Sequence, residues 1–233
     1  MADKDVLYHE VLEAFQAGGC ALCRLAYRAS DSYLNALLHE GVTDVKLREE
    51  LRAARGVCHR HAARLTGKRG SVLGTAIVYR DVINTLTKAL EGEQTPPSGL
   101  FGVPWGRRES ALGRNLAATG ECPACLLERD SEQRTAKILL RHINDSAISA
   151  AYVAAGGLCL PHFQIVLDHA GQGAARLLAG WQATAWRKLR DELDELIRKH
   201  DHRFRTERIT NEESDSWLRA VAAVVGRAEP PTT

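Results

Sequence analysis

Six cysteines and two histidines fall into two matching patterns, Cys20-x-x-Cys23 with Cys58-x-x-His61 and Cys122-x-x-Cys125 with Cys159-x-x-His162. The CxxC recurs 102 residues later and the CxxH 101 residues later, and every cysteine of the chain is used, three per pattern. Three sulfurs and one imidazole complete a tetrahedral shell for a metal ion. A CxxC at a helix start places two sulfurs about one turn apart, and a CxxH at a second helix start supplies two further donors. The partial positive charge of a helix N-terminus lowers thiol pKa and so favours thiolate, the form that binds metal. The expectation is two closed Cys3His sites, one per repeat: Cys20, Cys23, Cys58 and His61, then Cys122, Cys125, Cys159 and His162. Two Zn²⁺ per chain are favoured, because iron-sulfur clusters more often take four cysteines. His59 also follows Cys58, but only His61 occupies the register of His162. Unliganded buried cysteines and paired disulfides are the competing readings. A thioredoxin-like CxxC is disfavoured because no βαβ pattern surrounds either motif.

The segments that must carry these residues read as helices. Ala and Leu dominate the apolar set, there are only four Phe, five Tyr and four Trp, and β-branched runs are scarce. After the first CxxC, Leu22, Leu25, Ala29, Tyr33, Ala36 and Leu37 share a 3.6-period face; the matching set is Ala124, Leu127, Ser131, Thr135, Ile138 and Leu139, with a polar middle. Thr43 and Asn144 are the expected caps of a second, shorter helix, about 45–54 and 146–155. Gly56 and Gly157 end it, turning the chain into CxxH, where Pro161 suits a first helical turn. A fourth, long helix closes each copy, with stripes Leu73, Ala76, Tyr79, Ile83, Leu86 and Leu90, and Leu178, Trp181, Ala185, Leu189, Leu193 and Leu196.

The fold class expected is all-α, a duplicated multi-helix repeat with each repeat stapled by its Cys3His site. The divisions are an N-terminal helix within 1–19, repeat 1 over 20–92, a linker over 93–120, repeat 2 over 121–200, and a C-terminal helix and tail over 201–233. Pro96, Pro97, Gly99, Gly102 and Pro104 give the linker its loop chemistry, with helix resuming over about 108–118. The flanking helices are expected near 5–17 and 212–225, the latter with Trp217, Leu218, Val221 and Val225 as its apolar face. Residues 229–233 are expected to fray.

The net charge of +2 argues against a dedicated polyanion binder, and two zinc ions held by six thiolates would bring it to zero. The run Arg198 to Arg208 is interrupted by Asp201 and Glu207 and reads as a solvated helix end. With no signal-like start and no run of about 18 apolar residues, a soluble cytoplasmic protein is expected. His9-Glu10 and His39-Glu40 lack the second histidine of HExxH. Gly171-Gln-Gly173 has Arg176 where a dinucleotide fingerprint needs its third glycine, and no P-loop is present.

The duplicated CxxC…GxCxxH, with Gly56 and Gly157 ahead of each CxxH and Cys159-Leu-Pro-His162 in the second, resembles an uncharacterised bacterial family known only as a domain of unknown function. The resemblance covers most of the chain and supports metal binding without implying a substrate. The leading reading is a non-enzymatic zinc protein, a helical scaffold or regulator with another protein as partner and neither nucleic acid nor membrane. The alternatives are a thiol-based redox or metal sensor, and an enzyme with a pocket between the repeats using groups such as His142, Asp145 or His169.

Overall fold

A computed structural model describes residues 5–39, 41–91, 111–204 and 206–226. Among them are twelve α-helices, two short 3-10 turns and no strand. Most of the linker, the tail and Glu40 of the His39-Glu40 pair lie outside the described residues.

Two compact units are present: residues 1–29 with 128–233, and residues 30–127. The chain enters the first unit through α1 (Val6–Gln16), whose N-cap Asp5 accepts the Tyr8 N–H. It continues into α2 (Ala21–His39), whose first nine residues belong to the first unit and the remainder to the second. The second unit then contains α3 (Val45–Ala54), α4 (His59–Gly67), α5 (Ser71–Glu91), α6 (Ala111–Leu116) and the start of α7 (Pro123–Arg141). From Glu128 onward α7 is again in the first unit. There it is followed by α8 (Ser146–Ala154), α9 (Leu160–Asp168), α10 (Gln172–Lys199), α11 (Asn211–Ser214) and α12 (Ser216–Val225).

Each unit has its own core. In the first, Tyr8, Val11 and Phe15 of α1 pack with Ala136, Leu139, Ile148, Tyr152, Val166 and Leu178. Tyr152 is enclosed by aromatic neighbours, with ring centroids 5.3 Å from Phe15 and 5.5 Å from Trp181. In the second, Leu34, Leu37, Leu51, Leu65 and Val78 form the centre.

Matching segments form matching elements, with instructive differences. The helices that follow CxxC, α2 and α7, are both 19 residues long, and those that begin with CxxH, α4 and α9, are both 9. The caps of α3 and α8 are Asp44 and Asp145, one residue beyond the expected Thr43 and Asn144. A carboxylate accepting the first-turn N–H groups is well suited to the positive end of the helix. The turn before CxxH uses φ +59 at Arg55 and +93 at Gly56, and +89 and +80 at Gly156 and Gly157. A Cβ on Gly157 would lie 2.7 Å from Gln182 Nε2, so glycine is needed there for space as well as conformation.

The buried stripe of α5 is Ser71, Gly74, Val78 and Val82, whereas Leu73, Ile83 and Leu90 of the expected stripe are exposed. A Cβ on Gly74 would sit 2.8 Å from the Leu38 carbonyl oxygen, which explains why that side faces the core. On α10 the expected stripe faces inward, with Leu178 and Ala185 buried and Trp181 half-buried. The terminal helix starts at a capping box of Thr210 and Glu213 and is broken at Asp215 into α11 and α12. Its large residues face outward: Trp217 is 55% exposed and Val221 56%, while Ser216 is buried. Helix α6 begins at Ala111; residues 108–110 of the expected helix lie outside the described residues. No helix among the described residues is long and apolar enough to cross a membrane.

Candidate metal centres

The eight motif residues gather into two Cys3His groups, but their membership is exchanged between the repeats. Cys20 and Cys23 meet Cys159 and His162 in the first unit; Cys58 and His61 meet Cys122 and Cys125 in the second. Each group thus takes its CxxC from one repeat and its CxxH from the other, instead of both from one repeat as the spacing suggested. Unequal helix lengths favour the exchange. At 1.5 Å per residue, the 19 residues of α2 span about 28 Å and the 10 of α3 about 15 Å, so α3 by itself does not retrace α2. The second copy has the same imbalance, with 19 residues in α7 and 9 in α8.

Both groups sit at paired helix starts. Cys20 and Cys122 immediately precede α2 and α7, and Cys23 and Cys125 lie in their first turns. Cys58 and Cys159 are the N-caps of α4 and α9. Their sulfurs face the other donors.

The four donor atoms of each group lie within 4.8 Å of one another. His162 Nδ1 is 3.3 Å from the sulfurs of Cys20 and Cys23 and 3.2 Å from that of Cys159. His61 Nδ1 is 3.2 Å from Cys58, 3.5 Å from Cys122 and 3.4 Å from Cys125. The closest sulfur pairs, Cys23 with Cys159 and Cys58 with Cys125, are 3.7 and 3.6 Å apart. Zn–S bonds near 2.3 Å and Zn–N bonds near 2.0 Å imply S···N edges of about 3.5 Å and S···S edges of about 3.8 Å in a tetrahedron. All six cysteines are free thiols, so the disulfide reading does not apply. His61 is fully buried, whereas His59 is exposed and belongs to neither group.

Protonation is uneven within each group. Burial and the Cys159 and Cys23 sulfurs push the Cys20 thiol well up, whereas bonds from Cys159 and Cys20 hold Cys23 far down. Burial disfavours the His162 cation, but its bonds to Cys159, Cys23 and Glu132 outweigh this and raise the imidazole to about 12. In the second group, burial and the Cys58 sulfur push Cys125 up to about 12. Cys58 is lowered: burial opposes its thiolate, but the backbone N–H of His61 and the Cys125 thiol outweigh it. Three sulfurs this close carry full negative charge together only beside a compensating cation, so metal entry must displace protons.

Several supporting residues carry no motif signature. Glu132 Oε1 lies 3.1 Å from His162 Nε2, fixing the ring so that Nδ1 faces the sulfurs. Its counterpart 102 residues earlier is Ser30, so the repeat gives no hint of it. Buried Arg24 donates from Nη2 to the Ala17 and Gly18 carbonyls at 2.9 Å each, holding the turn that delivers Cys20. Gln182 accepts the Leu158 N–H at 3.1 Å, donates to the Leu158 carbonyl at 3.0 Å and accepts the Tyr152 hydroxyl, pinning the approach to Cys159. In the other unit the Tyr79 hydroxyl accepts the Val57 N–H at 3.3 Å and takes the same part before Cys58.

Of the residues offered for an enzyme reading, His142 and Asp145 both meet Tyr8, whose hydroxyl donates to Asp145 Oδ1 at 3.3 Å. His142 is buried with its ring centroid 4.8 Å from that of Tyr8, Asp145 caps α8, and His169 is the exposed C-cap of α9. The terminal basic run is held by acids: Arg198 pairs with Glu195 and Glu207, and Arg203 with Asp201; Arg205 lies outside the described residues.

Residues 4–106 match the Family of unknown function (DUF6062). The chain is 27% identical over 218 residues to an "Uncharacterized 23.9 kDa protein in xynA 3'region" of Caldicellulosiruptor sp. (strain Rt8B.4), covering 93% of this chain and 99% of the relative. No solved structure matches it. The resemblance expected from the duplicated motif is therefore to an uncharacterised family, and it reaches this chain without an assigned activity.

Proposed function

We propose that the protein is a zinc-binding helical scaffold or regulator whose two Cys3His sites are structural. The observation that carries this is the clustering of three sulfurs and one imidazole nitrogen within 4.8 Å, twice, on helix starts. Four protein donors leave no open coordination position for an activated water, the usual requirement of catalytic zinc. Zinc binding worth about 10–16 kcal/mol in small finger peptides rivals the net stability of a domain, so the ions would decide whether each unit is folded. Six unpaired thiols suit a reducing, cytoplasmic setting. The exposed apolar residues of α12 support a protein partner over a nucleic acid.

Native mass spectrometry and elemental analysis of protein purified without added metal test the proposal. Two zinc ions per chain are expected. A mass equal to the bare chain, or a brown protein absorbing in the visible, overturns the assignment.

A further inference from the structure

A cavity of about 510 Å³ lies in the first unit, and Cys20, Cys23 and Cys159 are part of its wall. Packed interiors leave few voids larger than a water molecule, so a space of this size beside three donor sulfurs needs a reason. The sequence keeps it open from three separate segments: Gly18 and Gly19 after α1, Ala155 and Gly156 after α8, and Ala222 and Ala223 of α12. The same helix α12 turns Trp217, Val221, Val224 and Val225 to solvent, while Leu218, Arg219, Ala222 and Ala223 line the cavity. Of the donors, Cys159 is 2% exposed and His162 9%, while Cys20 and Cys23 are half-buried and stand on the cavity wall. At the end of α12, Gly226 (φ +82) stands close to the sulfurs: a Cβ placed there would lie 3.5 Å from the Cys159 sulfur and 3.6 Å from that of Cys23, in ordinary contact.

Resting on the zinc reading of this group, we infer that the cavity is the route by which the metal reaches and leaves Cys20, Cys23, Cys159 and His162. A buried metal site needs an entry path. A divalent cation with six waters, at about 30 Å³ each, occupies about 180 Å³ and fits inside before exchanging water for sulfur. Any proton a donor carries, on sulfur or on the imidazole, would leave to solvent as that donor binds the ion, so no oxidant or reductant is involved. Lys188, with a side chain 70% exposed, stands on the lining, where a larger residue would narrow the mouth without disturbing the core.

The experiment measures zinc release to excess EDTA from the full-length zinc-loaded protein, with the ion at Cys58, His61, Cys122 and Cys125 as internal control. Ala222→Phe and Ala223→Leu are expected to slow one of the two release phases at least about tenfold while leaving two zinc ions bound at equilibrium. Should these variants lose helical circular dichroism, Lys188→Trp reads the same property from the rim, again as slowing of one phase. Bound zinc with both phases unchanged in the folded variants overturns the route alone. A chain that binds no zinc overturns the metal reading and this inference with it.

Discussion

At the scale of single residues, the informative fact is which cysteine meets which histidine. The two copies offer identical donor types at nearly identical offsets, so spacing names all eight residues and the favoured histidine without deciding how the pairs combine. A bias toward the exchange was present in the sequence in another form, as the unequal lengths of the helices on either side of each Asp cap. Glu132, Arg24 and Gln182 were not legible at all, because none has a counterpart of its own type in the other copy, and Glu132 and Gln182 act through contacts far along the chain. The exchanged membership gives a prediction about pairs of substitutions. Cys23→Ala with His162→Ala removes two donors from one group, so the double variant should keep one zinc, as either single variant does. Cys23→Ala with His61→Ala damages both groups and should keep none. Native mass spectra showing the reverse pattern would restore the pairing within each repeat.

At the scale of elements, local signals placed the helices well and their buried faces less well. Cap, glycine and proline chemistry fixed where α3 and α8 begin and end, and where α4 and α9 begin, to within about a residue, since those signals act on the nearest turn. The burial of α5 was misread because a small face, Ser71 and Gly74, lies inward where close backbone approach demands it, and apolar periodicity is blind to small residues. Charge also joins elements here. Asp31 on α2 accepts from Lys68 Nζ at 2.6 Å and from Arg64 Nη2 at 3.1 Å, tying α2 to α4 and the residue that follows it. Burial works against the Asp31 carboxylate, but these two cations outweigh it and hold its pKa below the usual range. A depressed folded pKa contributes stability that is present above the unfolded value of about 3.9 and lost as pH falls through the folded one. Asp31→Asn should therefore lower the thermal midpoint at pH 6 to 7, and its difference from the parent should shrink below about pH 4. Comparing the two proteins at each pH cancels the common loss of metal as thiolates protonate. A difference that is constant from pH 7 to pH 3 would show that the pair contributes nothing through charge.

For the whole molecule, the exchange of donors makes the two groups nested along the chain. The outer group joins residues 20 and 23 to 159 and 162, and the inner group joins 58 and 61 to 122 and 125. Residues 92–110 lie between the two halves of both groups, so a chain divided there places a CxxC and a CxxH on each piece. Pairing within a repeat would make each piece a self-sufficient metal protein. Pairing as observed makes each piece half of two sites. The N-terminal piece also lacks α8 and α10, against which Tyr8 and Phe15 of α1 are buried. Pieces 1–98 and 99–233 expressed separately should accordingly hold zinc weakly and show reduced helical signal. Mixed or co-expressed, they should associate one to one, recover the helical signal and retain two zinc ions through gel filtration. A single tightly bound zinc on each isolated piece would mean that the repeats close their own sites, and that the division into units is not set by the metal.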